Sequence, residues 1–147
     1  MDEKLEKCAR QLMETIPTIM QTIRVEMRSG RGSDLSIPQF RALRFIQSND
    51  HPTLSAVADV LGLTLPSTSK IVDGLVKKKL ISRSESIKDR RCLALEINPS
   101  GEAIVNAAQL RAQTSLVNIL KNIPQDQSDL IYQCMSYLQS LFDQNKR

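Results

Sequence analysis

The chain has no tryptophan, two tyrosines, three phenylalanines, one histidine and three cysteines among its 147 residues. Each shortage removes a class of function. The aromatics Phe40, Phe45, Tyr132, Tyr137 and Phe142 are too few, and by their spacing too buried, to build a stacking platform for single-stranded nucleic acid. His51 stands in the turn-like stretch Asn49-Asp50-His51-Pro52-Thr53 without a nucleophile or a carboxylate pair beside it. That pattern predicts a surface turn histidine and no catalytic residues. CxxC and HExxH patterns and a glycine-rich phosphate loop are all missing, so no metal and no nucleotide cofactor is expected. Cys8, Cys92 and Cys134 are odd in number and far apart, which fits reduced thiols better than a disulfide framework. No stretch approaches the roughly 18 consecutive apolar residues of a membrane span. With the acidic start Met1-Asp2-Glu3, which lacks signal-peptide character, this predicts a soluble cytoplasmic protein with no membrane partner.

Charge is just as unevenly spread. The formal net charge is +4. Residues 65–99 contain Lys70, Lys77, Lys78, Lys79, Arg83, Lys88, Arg90 and Arg91 against Asp73, Glu85, Asp89 and Glu96, so the whole excess lies there and the flanking segments balance. A localised positive field is what a polyphosphate partner requires. An ordinary solvated charged face is the competing interpretation. The stretch from Arg83 to Ile97 reads as a hairpin with a charged tip placed after a helix ending in Lys77-Lys78-Lys79, an arrangement that suits duplex DNA.

The rest of the chain reads as helices. Leu5, Cys8, Leu12, Ile16, Ile19, Ile23 and Met27 recur at helical spacing over residues 3–28, with Pro17 expected to kink or break the run, and the loop 29–34 ends it. Ser36-Ile37-Pro38-Gln39 has the form of a capping box and opens a helix to about Gln47, with Phe40, Leu43 and Ile46 facing its core. Asn98-Pro99 places a cap and a first-turn proline at the start of a long helix to about Leu120. Beyond Pro124 a last helix carries Leu130, Cys134, Leu138, Leu141 and Phe142 as one apolar stripe.

Two short helices lie between. In the first, Leu54, Val57, Ala58 and Leu61 follow core spacing, and Gly62 stands where a left-handed residue is needed. In the second, Thr64 serves as cap, Pro66 is tolerable in the first turn, and Thr68, Ile71, Val72 and Leu75 face the core. Pro66, Ser69, Lys70, Asp73 and Lys77 are left on the opposite side, with Ser67 and Gly74 at its margin. Two helices joined by a tight turn, the second with a small polar N-terminus, fit a major groove about 12 Å wide. A buried helical hairpin competes with this, but has little use for Ser67, Ser69 and Lys70 together.

The segments from Leu54 to Thr64, Ile71 to Leu75 and Leu80 to Arg83, then Asp89-Arg90-Arg91 and Leu95 to Gly101, resemble the MarR family of winged-helix transcriptional regulators. The resemblance extends over nearly the whole chain, and its most specific part is the wing with its Asp-Arg-Arg tip and the Pro-x-Gly helix start. Two positions depart from the pattern. Family members commonly have Gly where this chain has Lys79, which puts the exit turn of that helix in question, and Asn98 replaces a frequent Thr while keeping the capping chemistry.

The resemblance implies a mainly α fold with a small β-hairpin wing. A winged helix-turn-helix lobe would occupy 35–98, and residues 1–34 with 99–147 would form a helical dimerisation region. The terminal stripes point the same way, since Leu12, Ile16, Ile19 and Ile23 with Leu130, Leu138, Leu141 and Phe142 exceed what one small lobe can cover; an intramolecular bundle is the alternative. A two-fold homodimer would place its recognition helices in major grooves about 34 Å apart, on a pseudo-palindromic double-stranded operator. The candidate DNA-binding residues are Pro66, Ser67, Ser69, Lys70, Lys77, Arg83, Lys88, Asp89, Arg90 and Arg91. Of these, Ser67, Ser69 and Lys70 are assigned to the major groove. By the resemblance, Asp89 pairs with an arginine to hold the wing while Arg90 or Arg91 enters the minor groove.

Many relatives are repressors released by small anionic or phenolic effectors bound between lobe and dimer helices, and others sense oxidants through a thiol near the N-terminus. Cys8 lies near that thiol's place, although its spacing with Leu5 and Leu12 predicts a buried structural cysteine. Three functions are thus in contention: an effector-released DNA-binding repressor, a thiol-based redox regulator on the same fold, and a winged-helix protein-interaction module.

Overall fold

The computed structural model describes residues 2–29, 35–85 and 93–145. In chain order its elements are α1 (Glu3–Ser29), α2 (Ile37–Ser48), α3 (Leu54–Leu61), α4 (Leu65–Lys77), β1 (Ile81–Glu85), β2 (Leu93–Ile97), α5 (Pro99–Leu120) and α6 (Gln125–Gln144). Packing divides the chain into two units, 1–112 and 113–147, with the boundary inside α5.

Local chemistry sets the element ends. Ser36 caps α2 with a complete capping box: its hydroxyl accepts from the Gln39 N–H at 3.2 Å, and the Gln39 side chain accepts from the Ser36 N–H at 3.1 Å. Thr53 caps α3 by accepting from the Ala56 N–H at 3.2 Å. Pro17 does not break α1, which continues through it as one helix.

The core of the first unit is apolar and draws on every element between α2 and α5. Leu43 and Ile46 of α2, Val57 of α3, Val72 and Leu75 of α4, Ile81 of β1, Leu95 of β2 and Val105 of α5 are all buried. Such burial contributes about 1.5–3 kcal/mol per large apolar side chain, and it is what holds the short helices α3 and α4, marginal in isolation, in place. From α1 only Met27 is buried.

β1 and β2 pair antiparallel with Ile81 opposite Ile97, Arg83 opposite Leu95 and Glu85 opposite Leu93. The hairpin therefore begins two residues before the expected Arg83. The connection from α2 to α3 adds a third partner that the sequence pattern did not suggest: Leu95 N–H donates to the Pro52 carbonyl at 2.9 Å, and Thr53 bridges to Ala94. The wing is thereby fastened to the lobe along β2.

In the second unit, α6 buries no residue within the chain. Tyr132 is 75%, Tyr137 66% and Phe142 62% exposed, contrary to the burial that aromatic spacing suggested. Helical spacing gives α6 an apolar stripe, but a stripe does not say which surface covers it.

Candidate nucleic-acid interface

The turn from α3 to α4 depends on Gly62, whose φ of 67° is left-handed. Its N–H donates to the Asp59 carbonyl at 3.3 Å, and Leu63 N–H to that of Ala58 at 3.1 Å, closing α3 in two residues. Thr64 then opens α4. Its hydroxyl oxygen accepts from the Ser67 N–H at 3.3 Å and its O–H donates to Ser67 Oγ at 3.1 Å. Pro66 occupies the first turn, where a missing N–H goes unnoticed. Thr68, the buried polar side chain of this region, donates its hydroxyl to the Thr64 carbonyl at 2.8 Å.

With Thr68, Val72 and Leu75 buried, the far side of α4 presents Pro66, Ser67, Lys70, Asp73 and Lys77 as exposed residues and Ser69 as half-buried. Apolar spacing divides the helix in the same way, apart from Ile71, which is half-buried. Among the described residues Lys70 and Lys77 have no carboxylate within ion-pair distance, so their charge is directed to solvent.

Arg83 behaves differently. Its guanidinium on β1 pairs with the Asp73 carboxylate on α4, so the strand and the outward side of the helix are joined by an ion pair. Lys88, Asp89, Arg90 and Arg91, assigned above to the wing tip, lie outside the described residues, as does Cys92.

At the exit of α4, Lys79 adopts φ 60°, its N–H donates to the Val76 carbonyl at 2.9 Å, and Leu80 N–H reaches the Leu75 carbonyl at 3.0 Å. This is the left-handed helix ending that glycine usually provides, kept here by lysine. Asn98 departs from its expected capping role. Its side-chain oxygen accepts from the Ser82 hydroxyl at 2.6 Å and its amide donates to the Lys79 carbonyl at 3.0 Å, so it ties α5 to the wing and to the α4 exit. Only its backbone carbonyl serves α5, accepting from the Glu102 N–H at 3.0 Å.

His51 is an exposed turn residue in a left-handed conformation, φ 46°. A hydrogen bond donated by its ring to the Asp50 carboxylate, and that carboxylate's charge, raise its pKa above the ordinary imidazole value, with a smaller contribution from Glu96, whose carboxylate is 3.7 Å away. Cys8 is exposed within the chain, as is Cys134. The Leu5 and Leu12 spacing that predicted burial of Cys8 describes a helix side that the first unit leaves uncovered. Among the described residues no group of histidine, cysteine, aspartate and glutamate could hold a metal.

A crevice of about 280 Å³ lies between α1 and α2. Met20, Ile23 and Phe40 give it apolar walls, and Arg24, Arg28, Arg41 and Arg44 line it as well. Arg41 donates to the Val60 carbonyl at 3.2 Å, and among the described residues none of the four meets a carboxylate.

A helix-turn-helix whose second helix shows a small, polar, basic side, followed by a two-stranded hairpin, defines the winged helix-turn-helix class of DNA-binding folds. Residues 33–91 match the model of the MarR family. The chain is 26% identical over 116 residues, 78% of its length and 71% of the relative's, to an uncharacterized HTH-type transcriptional regulator, YfiV of Bacillus subtilis (strain 168). Its fold is that of a MarR family protein from Bacillus stearothermophilus, with a TM-score of 0.72 at 19% identity, covering 97% of this chain and 99% of that one. It is similar also to FabT of Streptococcus pneumoniae, solved in complex with DNA, with a TM-score of 0.64 at 21% identity and coverage of 94% and 99%. Residues 33–91 thus carry the likeness to the MarR family, and the chain has the winged helix-turn-helix fold of its solved members.

Proposed function

We propose that this protein is a homodimeric repressor that binds a pseudo-palindromic double-stranded operator and is released by a small anionic effector. The observation that carries the reading is the outward side of α4, where Ser67, Ser69, Lys70 and Lys77 are displayed beside the hairpin while the opposite side of the helix is packed into the core. The fold likeness to FabT, which was solved bound to DNA, supports the partner. In this reading α4 enters the major groove, and Arg90 or Arg91 at the wing tip, held by Asp89, enters the adjacent minor groove, with Lys88 against the backbone.

Uncovered apolar surface supports the dimer. α6 has no buried residue and α1 has one, yet both carry large apolar side chains such as Met13, 76% exposed, and Phe142. Surfaces of that kind mark subunit interfaces. Residues 1–34 and 99–147 would then serve dimerisation and 35–98 DNA binding. The crevice between α1 and α2 supports the effector, because its apolar walls suit a small aromatic or aliphatic body and its arginines suit a carboxylate or phenolate. No described helix is long and apolar enough to cross a membrane, so nothing directs this charge to a lipid-embedded role.

Selection of bound sequences from a random duplex pool tests the proposal. A palindrome with half-sites about one helical turn apart is expected. Affinity for it should fall steeply with salt, with a log–log slope of about −0.9 per phosphate neutralised. Recovery of no preferred sequence, or binding indifferent to salt, would sink the reading in favour of a protein-interaction module.

A further inference from the structure

We propose, on the DNA-binding reading above, that the apolar step Leu65-Pro66 at the tip of α4 reads thymine methyl groups, so that each operator half-site carries T·A pairs where this step meets the major groove. Leu65 is the first residue of α4 and is 50% exposed, an uncommon place for leucine beside a solvated helix start. Pro66 next to it is exposed too, and Leu63 before it is 41% exposed. The N-terminal residues of a recognition helix are the ones that approach base edges. An apolar side chain set against those edges has one complementary partner in the groove, the C5 methyl of thymine, whereas facing only polar edges it would leave donors and acceptors unpaired.

The other groups on α4 leave this role open. The helix sequence from Leu65 to Lys77 contains no arginine, asparagine or glutamine, so the planar two-pronged contacts that identify guanine or adenine are missing from it. Asp73, which could accept from cytosine, is engaged by Arg83. The Ser67 oxygen already accepts from Thr64. Lys70 remains as a long donor, able to meet guanine or a phosphate. Thr64 capping and the Pro66 ring hold the tip in one conformation, so Leu65 is presented on a rigid support.

Deoxyuridine lacks only the C5 methyl, which makes the test direct. In the duplex recovered by selection, each thymine of the half-site is replaced symmetrically by deoxyuridine, and binding of the full-length protein is measured at fixed salt. Removing one buried methyl should weaken binding about 4-fold, so a symmetric pair should weaken it roughly 15-fold at the positions that Leu65 and Pro66 contact. With Leu65→Ala the same replacement at the Leu65 position should change affinity less than about twofold, while Leu65→Met, which retains apolar reach, keeps the sensitivity. A duplex bound tightly but indifferent to every deoxyuridine overturns the proposal alone, and so does a loss of equal size in Leu65→Ala. Failure to recover any bound duplex overturns the DNA-binding reading, and this proposal with it.

Discussion

Lys79 shows how a single residue carries a conformational cost for the helix that precedes it. An L-residue held left-handed costs about 1–2 kcal/mol, and glycine in its place forfeits roughly 0.5–1 kcal/mol in chain entropy. Lys79→Gly is therefore expected to raise stability by about 0.5–1 kcal/mol, read as a shift of the urea midpoint with an unchanged slope. A drop in the midpoint would mean that the lysine side chain itself supports the turn. The position was legible in the sequence as the place where relatives have glycine, but the sequence does not say whether the turn or the residue gives way. The structure keeps the turn, with Lys79 at φ 60°. Gly101 has a different reason: an added Cβ would collide with the Leu80 carbonyl oxygen, so α5 approaches the wing closely only because that atom is missing.

Among the elements, α4 and the wing act as one piece. The sides of α4 could be read from spacing because a helix buried on one side repeats its apolar residues every three or four positions. The Asp73–Arg83 link could not, since it joins a helix to a strand ten residues on, and only the turn at Lys79 brings them together. The sequence reads Arg83 as a DNA ligand, and its ion pair with Asp73 gives it a second candidate role, as a brace between α4 and the wing. If it is a brace, Arg83→Gln leaves the Asp73 carboxylate unpaired beside the phosphates, and operator affinity should fall about 5-fold, close to 1 kcal/mol for a half-exposed pair. Adding Asp73→Asn should then restore at least about half of that loss in free energy. A double variant as weak as Arg83→Gln would instead mark Arg83 as a direct phosphate ligand.

For the whole molecule, assembly is the open quantity that the surface already constrains. Tyr137 and Phe142 are 66% and 62% exposed within the chain, so most of the about 150–250 Å² that such a side chain can bury is left for a partner. Replacing Phe142 by Asp in every subunit of a two-fold dimer should raise its dissociation constant at least about 100-fold, near 2.8 kcal/mol, as seen by sedimentation equilibrium. Helix content by circular dichroism should stay near the wild-type value at protein concentrations that keep the variant associated. A wild-type chain that sediments as a monomer at micromolar concentration would remove the two-fold operator along with the dimer.

The sequence by itself determined the helix boundaries, the caps at Ser36 and Thr64, the left-handed glycine at position 62 and the division of α4. All of these depend on neighbours within a turn or two, where periodicity and capping chemistry are local. The tertiary structure alone decided that Asn98 links the wing rather than capping α5, that Thr53 adds a bridge to β2, that Arg83 pairs with Asp73, and that Cys8 and three aromatics are left uncovered. Each of those depends on groups distant in the chain. Hydrogen-bond partners and burial follow from which surfaces meet, and composition and spacing do not record that.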